Sequence, residues 1–121
     1  MLLRKKVTSK LGNLAENYAI EFIRAKGYKI VERNFRSKFG EIDVIATLND
    51  VLVFVEVKAR WSQKFGSPEE AVTPQKLYKI KRTGEYYCLI HPGLPIKLRI
   101  DVVALEIANG QVVTSRIVNV D

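Results

Sequence analysis

Two runs dense in β-branched residues, 42–48 and 51–57, meet at Asn49-Asp50. No other segment limits the fold as tightly. Runs of this length and composition read as strands, and Asn-Asp is acceptable chemistry for a tight turn, though weaker than Asn-Gly. Both faces of the resulting hairpin are apolar over most of their length. A sheet with one wet face would alternate polar and apolar residues, so this pair belongs in a sheet covered by helices on both sides.

The remaining chain supplies those helices and the rest of the sheet. Leu11, Leu14, Ala15, Tyr18, Ala19, Phe22 and Ile23 recur at helical spacing from a start near Ser9, and Gly27 is placed to end that helix as a left-handed cap. Residues 28–36, with Ile30, Val31 and Phe35, suit a first strand, followed by a turn at Ser37-Lys38-Phe39-Gly40. Residues 60–66 read as a loop. Ser67-Pro68-Glu69-Glu70 looks like a helix start, and Thr73-Pro74 repeats that signature. The helix that follows has Leu77, Ile80, Tyr87 and Cys88 on its inner side and stops at His91-Pro92-Gly93. Residues 98–107 and 112–118 are two further strands, joined at Asn109-Gly110, a strong hairpin signal. No linker, domain-sized repeat or low-complexity tract interrupts the 121 residues. The expectation is one α/β domain, a central mixed sheet flanked by helices, in the order α-β-β-β-α-β-β.

Charge narrows the class of partner. The formal net charge is +7 and the pI about 9.6, while the mean hydropathy of −0.03 is ordinary for a globular domain. Residues 1–40 balance at +7, 41–72 at −3, 73–99 at +5 and 100–121 at −2. An acidic middle is flanked by basic segments. The basic flanks favour a polyanion, and the acidic middle suits a bound cation. The single cysteine, Cys88, excludes an intramolecular disulfide, and the single histidine, His91, excludes a zinc site built on several imidazoles. The opening Met1-Leu2-Leu3-Arg4-Lys5-Lys6 is too short in apolar residues for a signal peptide, and no stretch approaches a membrane span. A cytoplasmic protein without membrane contact is expected, with residues 1–9 as a basic arm.

Hairpin register then draws the acids together. If Asn49-Asp50 is a two-residue turn, paired residues have numbers that sum to 99. Asp43 lies opposite Glu56, and Lys58, two residues further, shares the face. Opposed side chains have β-carbons about 4.5–5.5 Å apart. Two carboxylates so close repel unless one is protonated or a cation lies between them. Mg²⁺, or Mn²⁺, suits such a pair, and the backbone carbonyl of Val57 would be a further oxygen ligand. Lys58 would hold an attacking water or offset charge on a phosphate. The bland alternative keeps Glu56 and Lys58 solvated at a strand end, with Asp43 paired to Lys58.

Other residues carry two readings each. Glu16, at the flank of the first helix's apolar face, is either a solvated surface acid or a fourth member of the cluster. Glu41 also pairs with Lys58 in this register and reads as its salt-bridge partner. Asp101 lies in a segment that echoes Glu41-Ile42-Asp43-Val44-Ile45-Ala46 and is expected to be structural. Lys76, Lys79, Lys81 and Arg82 alternate with Tyr78, Tyr86 and Tyr87, either as a nucleic-acid face or as a solvated helix surface. Gln75 and Lys76 sit in a first helical turn, where phosphate is favoured.

Gly40-Glu41-Ile42-Asp43, followed after a spacer by Val53-Phe54-Val55-Glu56-Val57-Lys58-Ala59-Arg60, resembles the PD-(D/E)xK nuclease superfamily. The chain is also similar to the YraN-like family of small bacterial proteins. Leu11-Gly12-Asn13-Leu14-Ala15-Glu16, Gly27-Tyr28, Glu32-Arg33-Asn34, Phe65-Gly66-Ser67-Pro68-Glu69-Glu70-Ala71-Val72 and Asp101-Val102-Val103-Ala104 match it in order. The resemblance implies a restriction-endonuclease-like fold. It also implies that Asp43 and Glu56 are metal ligands for one or two ions, Lys58 is the catalytic lysine and Glu16 the acid on the first helix. Gln75 matches a polar position that some resolvase-like members carry on the second helix. Ile42 stands where the superfamily pattern has Pro. The implied activity is hydrolysis of phosphodiester bonds in nucleic acid, DNA ahead of RNA, with structure-specific cleavage as one option and Lys76, Lys79 and Arg60 along the strand. Cutting two strands needs two sites, which makes a homodimer one option. The competing readings are a non-catalytic nucleic-acid-binding module of the same fold and an assembly subunit.

Overall fold

The computed structural model describes the backbone of residues 2–61 and 72–121 and the side chains of residues 12–60 and 72–121. Its elements are α1 (Leu2–Ala25), β1 (Lys29–Ser37), β2 (Gly40–Leu48), β3 (Val51–Trp61), α2 (Pro74–Ile90), β4 (Lys97–Ala108) and β5 (Gln111–Asn119). The strands form one sheet in sequence order. All neighbours are antiparallel except β3 and β4, which run parallel through α2. The order α-β-β-β-α-β-β and the mixed sheet agree with the sequence reading.

Local chemistry accounts for the turns. Gly27 has φ 96°, and the N–H groups of Tyr28 and Gly27 reach the carbonyls of Ile23 and Arg24 at 3.1 and 3.0 Å. That pair of bonds is a Schellman cap, and its left-handed position favours glycine. Asn109 and Gly110 are both left-handed, at φ 53° and 75°, as a type I′ hairpin requires. The β2–β3 hairpin pairs Leu48 with Val51 and Val44 with Val55, the register inferred from Asn49-Asp50.

Each face of the sheet has its own helix. Ala19, Ile20 and Ile23 of α1 pack on Val44, Ala46, Val53, Val55, Val103 and Leu105. Ile80 and Tyr87 of α2 pack on Ile45, Leu52, Phe54 and Ile100. The buried faces explain why the central strands lack polar alternation. The approach of α2 is close enough that a β-carbon on Gly84 would lie 2.2 Å from the Phe54 ring. Only glycine fits that crossing.

Several boundaries differ from expectation. α1 begins at Leu2 rather than near Ser9, so helix occupies residues assigned to an arm. Residues 2–8 contain neither Gly nor Pro, and their Leu, Arg and Lys are good helix formers. Leu14 and Tyr18, placed on the apolar face, are exposed. β3 continues through Arg60 and Trp61 because β4 pairs with it as far as Trp61–Ile107, so these two residues are strand rather than loop. The second of the two helix-start signatures is used, with Thr73 Oγ1 accepting from the Lys76 N–H at 3.1 Å. The first, at Ser67–Glu70, lies outside the described residues, as do the side chains of Arg4, Lys5, Lys6 and Lys10. Among the described residues, no helix is long and apolar enough to cross a membrane.

Candidate functional site

The β2·β3 ladder stops at Val44–Val55, one step short of Asp43 and Glu56. The β1·β2 ladder also skips Asp43, whose facing residue in that register would be Asn34. Asn34 has φ 54°, a left-handed backbone inside a strand. The alternation of β2 breaks here too. Ile42 and Ile45 enter the same core although they are three positions apart, an odd number. These features together mark a local interruption of the sheet at Asp43.

The Asp43 carboxylate sits at that interruption. Its Oδ2 accepts the backbone N–H of Val57 at 2.8 Å. In a continued ladder that N–H would serve Ile42, so a side chain has replaced a backbone partner. A strand residue presents its N–H and C=O on one side, so the Val57 carbonyl faces the same gap. Glu56, 8% exposed, continues the inward positions Leu52 and Phe54 on the α2 side. It forms an ion pair with Lys76 from the first turn of α2. The positive end of that helix adds to the field at Glu56.

The proton affinities follow from this crowding. Burial, then the charge of Glu56, push Asp43 up to about 7, against the opposing hydrogen bond from Val57. A hydrogen bond to Glu56 and the charge of Glu16 raise it further. Burial, then the charge of Lys76, lower the Lys58 pKa, while Glu56 partly restores it. Burial disfavours the Lys76 ammonium, but the hydrogen bond and charge of Glu56 outweigh that and raise its pKa. Lys58 is thus the lysine of the two that gives up its proton more readily.

Glu16, 9% exposed, is tied to the interruption from the other side. Its Oε1 accepts from Arg33 Nε at 3.2 Å and from Asn34 Nδ2 at 2.9 Å. The solvated-surface reading of Glu16 is thereby excluded. Glu41 pairs with Arg36 across the β1–β2 hairpin at 3.1 Å, not with Lys58, because that register sets them directly opposite. Gln75 and Lys79 are exposed on α2, and Arg60 is half-buried on β3. The Lys76–Glu56 pair was invisible to local spacing, since it joins residues twenty apart through the turn of the chain into α2.

A divalent cation fits this donor set in kind. Mg²⁺ takes oxygen ligands, commonly one or two carboxylates with water completing the shell. Asp43, Glu56 and the Val57 carbonyl offer that set, and the raised Asp43 marks negative charge that a cation would relieve. Among the described residues, no group of three Asp, Glu, His or Cys side chains is close enough to hold an ion by itself. The protein would therefore supply two carboxylates, not a complete cage.

Residues 15–105 match the family described as Uncharacterised protein family UPF0102. A UPF0102 protein of Syntrophomonas wolfei is 42% identical over 110 residues, covering 91% of this chain and 96% of its own. One from Caldicellulosiruptor saccharolyticus is 47% identical over 94 residues, covering 78% and 80%. One from Persephonella marina is 42% identical over 94 residues, covering 78% and 81%. The chain belongs to the UPF0102 family.

Proposed function

We propose that this UPF0102 member is a metal-dependent phosphodiesterase of the PD-(D/E)xK kind, with a restriction-endonuclease-like fold, acting on nucleic acid, DNA ahead of RNA. The observation that carries the reading is the meeting of Asp43, Glu56 and Lys58 at one interruption of the sheet. A structural ion pair does not need the β2·β3 ladder to stop, and the β1·β2 ladder to skip a pair, at Asp43. Strain and raised proton affinity gathered at one place favour a functional site.

Each residue has a task. A divalent ion held by Asp43, Glu56 and the Val57 carbonyl would polarise the scissile phosphate. Asp43 is oriented for this by the Val57 N–H. Lys58, whose amine is easier to deprotonate than an ordinary lysine, takes the proton of the attacking water at Nζ. Lys76 neutralises Glu56 when no other cation is present and lies within reach of an incoming phosphate. Glu16, held by Arg33 and Asn34, keeps the strained Asn34 backbone in place beside Asp43.

The test is incubation of branched, single-stranded and duplex substrates with Mg²⁺ or Mn²⁺. The parent should cut at least one of them, and Asp43→Asn and Lys58→Ala should not. No cleavage of any substrate, together with no metal binding by calorimetry, would sink the proposal. The Lys76–Glu56 ion pair favours a second reading, a binding module without turnover, because Glu56 is already neutralised by the protein. That reading predicts oligonucleotide binding that persists in Asp43→Asn and no cleavage by the parent.

A further inference from the structure

The turn between β1 and β2 brings a second group of cations beside α2. Arg82 places its guanidinium carbon 5.0 Å from the centre of the Phe39 ring, and Lys38 Nζ lies 5.4 Å from the same centre. Tyr86 supports the ring from α2, with centroids 5.6 Å apart. Lys79 packs where the hairpin meets the helix, its Cβ 3.7 Å from the position a Gly40 β-carbon would take. Among the described residues, none of Lys38, Lys79 and Arg82 is in an ion pair, whereas Arg36 nearby is taken by Glu41. All three cations are exposed, while Phe39 and Tyr86 are half-buried. The aromatic side chains thus form a base on which unpaired cations stand.

An exposed arginine is normally free to sample many rotamers, and fixing it costs side-chain entropy on binding. A ring beneath the guanidinium meets part of that cost in the free protein and leaves the N–H edge open. Planar N–H forks match phosphate oxygens. The direction of α2 sets the spacing. Lys76 meets Glu56, and Arg82 follows six residues later, about 9 Å along a helix of 1.5 Å rise. That is roughly two to three nucleotides at the duplex rise of about 3.4 Å.

We propose that Arg82, seated on Phe39 and flanked by Lys38 and Lys79, grips the phosphate backbone of a nucleic-acid strand two to three nucleotides from the bond presented to Asp43 and Glu56. The location relative to that bond rests on the phosphodiesterase reading; the grip on the strand does not. The contact recognises phosphate rather than base sequence. Arg82 acts as a binding residue, and Phe39 acts by positioning it.

The experiment measures binding of a fluorescent single-stranded oligonucleotide and its duplex to the full chain in a chelating buffer, where no cleavage intervenes. Parent, Arg82→Ala, Phe39→Leu, the double variant and Lys97→Ala are titrated at several salt concentrations. Lys97 is a charge-matched control, because it pairs with Val51 at the other end of β3 from Glu56. With a slope of about 0.7 per phosphate on single strands, losing one contact weakens binding roughly fivefold at ~0.1 M salt. Arg82→Ala should show that loss and a shallower salt dependence. Phe39→Leu should show part of it, the double variant should be no weaker than Arg82→Ala, and Lys97→Ala should stay near the parent. Equal weakening by Arg82→Ala and Lys97→Ala, unchanged affinity in Arg82→Ala, or no binding by the parent would each overturn the proposal. Arg82-dependent binding by a chain that cuts nothing and binds no metal upholds the grip and removes the phosphodiesterase reading. Cleavage by the parent with binding indifferent to Arg82 does the reverse.

Discussion

Asp43 and Asp101 occupy the same place in two similar stretches, Ile42-Asp43-Val44 and Ile100-Asp101-Val102, yet the fold treats them oppositely. Asp101 is 1% exposed and surrounded by donors. Arg99 reaches it with two nitrogens at 3.0 Å, Tyr28 donates its hydroxyl at 2.8 Å, and Asn119 its amide at 3.2 Å. Burial and the bond to Asp101 push the Tyr28 hydroxyl up to about 12, so it remains a donor. Asp43 has one backbone N–H and another carboxylate for company. A carboxylate placed for stability is given cations and hydroxyls. One that faces another carboxylate instead holds its proton more tightly, as Asp43 does.

The largest effect should come from Asp43→Asn. If the proposed activity holds, cleavage falls by about a thousandfold, close to 4 kcal/mol of activation free energy, while the unfolding midpoint in urea stays level or rises. A variant that loses activity because it unfolds more easily would erase the contrast. Next comes Asp101→Ala. It strands Arg99, whose side chain is 32% exposed, and the cost should be about 2–4 kcal/mol, toward the lower side for a broken buried pair. Urea denaturation checks it, and a loss below about 1 kcal/mol would mean the Asp101 network is ornamental.

The third comparison uses pH. Asp43 holds its proton up to about 7 in the fold, against about 3.9 in an unfolded chain. Between those values the folded state carries the extra proton, so metal-free stability falls as pH rises through the window. The slope is at most about 1.4 kcal/mol per unit. Denaturation at stepped pH should show it in the parent and a flatter profile in Asp43→Asn. The smallest effect belongs to Asn119→Ala, about 1 kcal/mol, because Arg99 and Tyr28 still hold Asp101. Matching melts at pH 7 would read it.

The strands and their register were legible because β-branched runs and a turn dipeptide are local signals. Asn49-Asp50 was enough to bring Asp43 and Glu56 to one place, although the paired register itself ends at Val44–Val55. The departure of the ladder at Val44–Val55 was not legible, since period-two patterning carries no mark for a side chain that takes over a backbone bond. Lys76 was noticed as a phosphate contact and proves to be the counterion of Glu56, a fact that depends on how α2 returns over β3. Glu16 was held open between a surface acid and a member of the cluster; its burial shows it is not a solvated acid, but its partners Arg33 and Asn34 come from a neighbouring strand and leave no periodic trace. The contrast between Asp43 and Asp101 was half visible. The echo of their segments could be read directly, whereas Tyr28 and Asn119 lie 73 and 18 residues from Asp101.

The gap at Asp43 also bears on how the molecule avoids unwanted company. A sheet's outer strands display spare backbone donors and acceptors, and such rows template the addition of foreign chains. Here the Val57 N–H, taken by the Asp43 carboxylate rather than by a strand, lies between two interior strands, β2 and β3. A carboxylate already fills the place of the missing backbone partner, so no foreign strand is templated there. The interruption thereby sits inside the sheet and adds nothing to its two outer edges, β1 and β5.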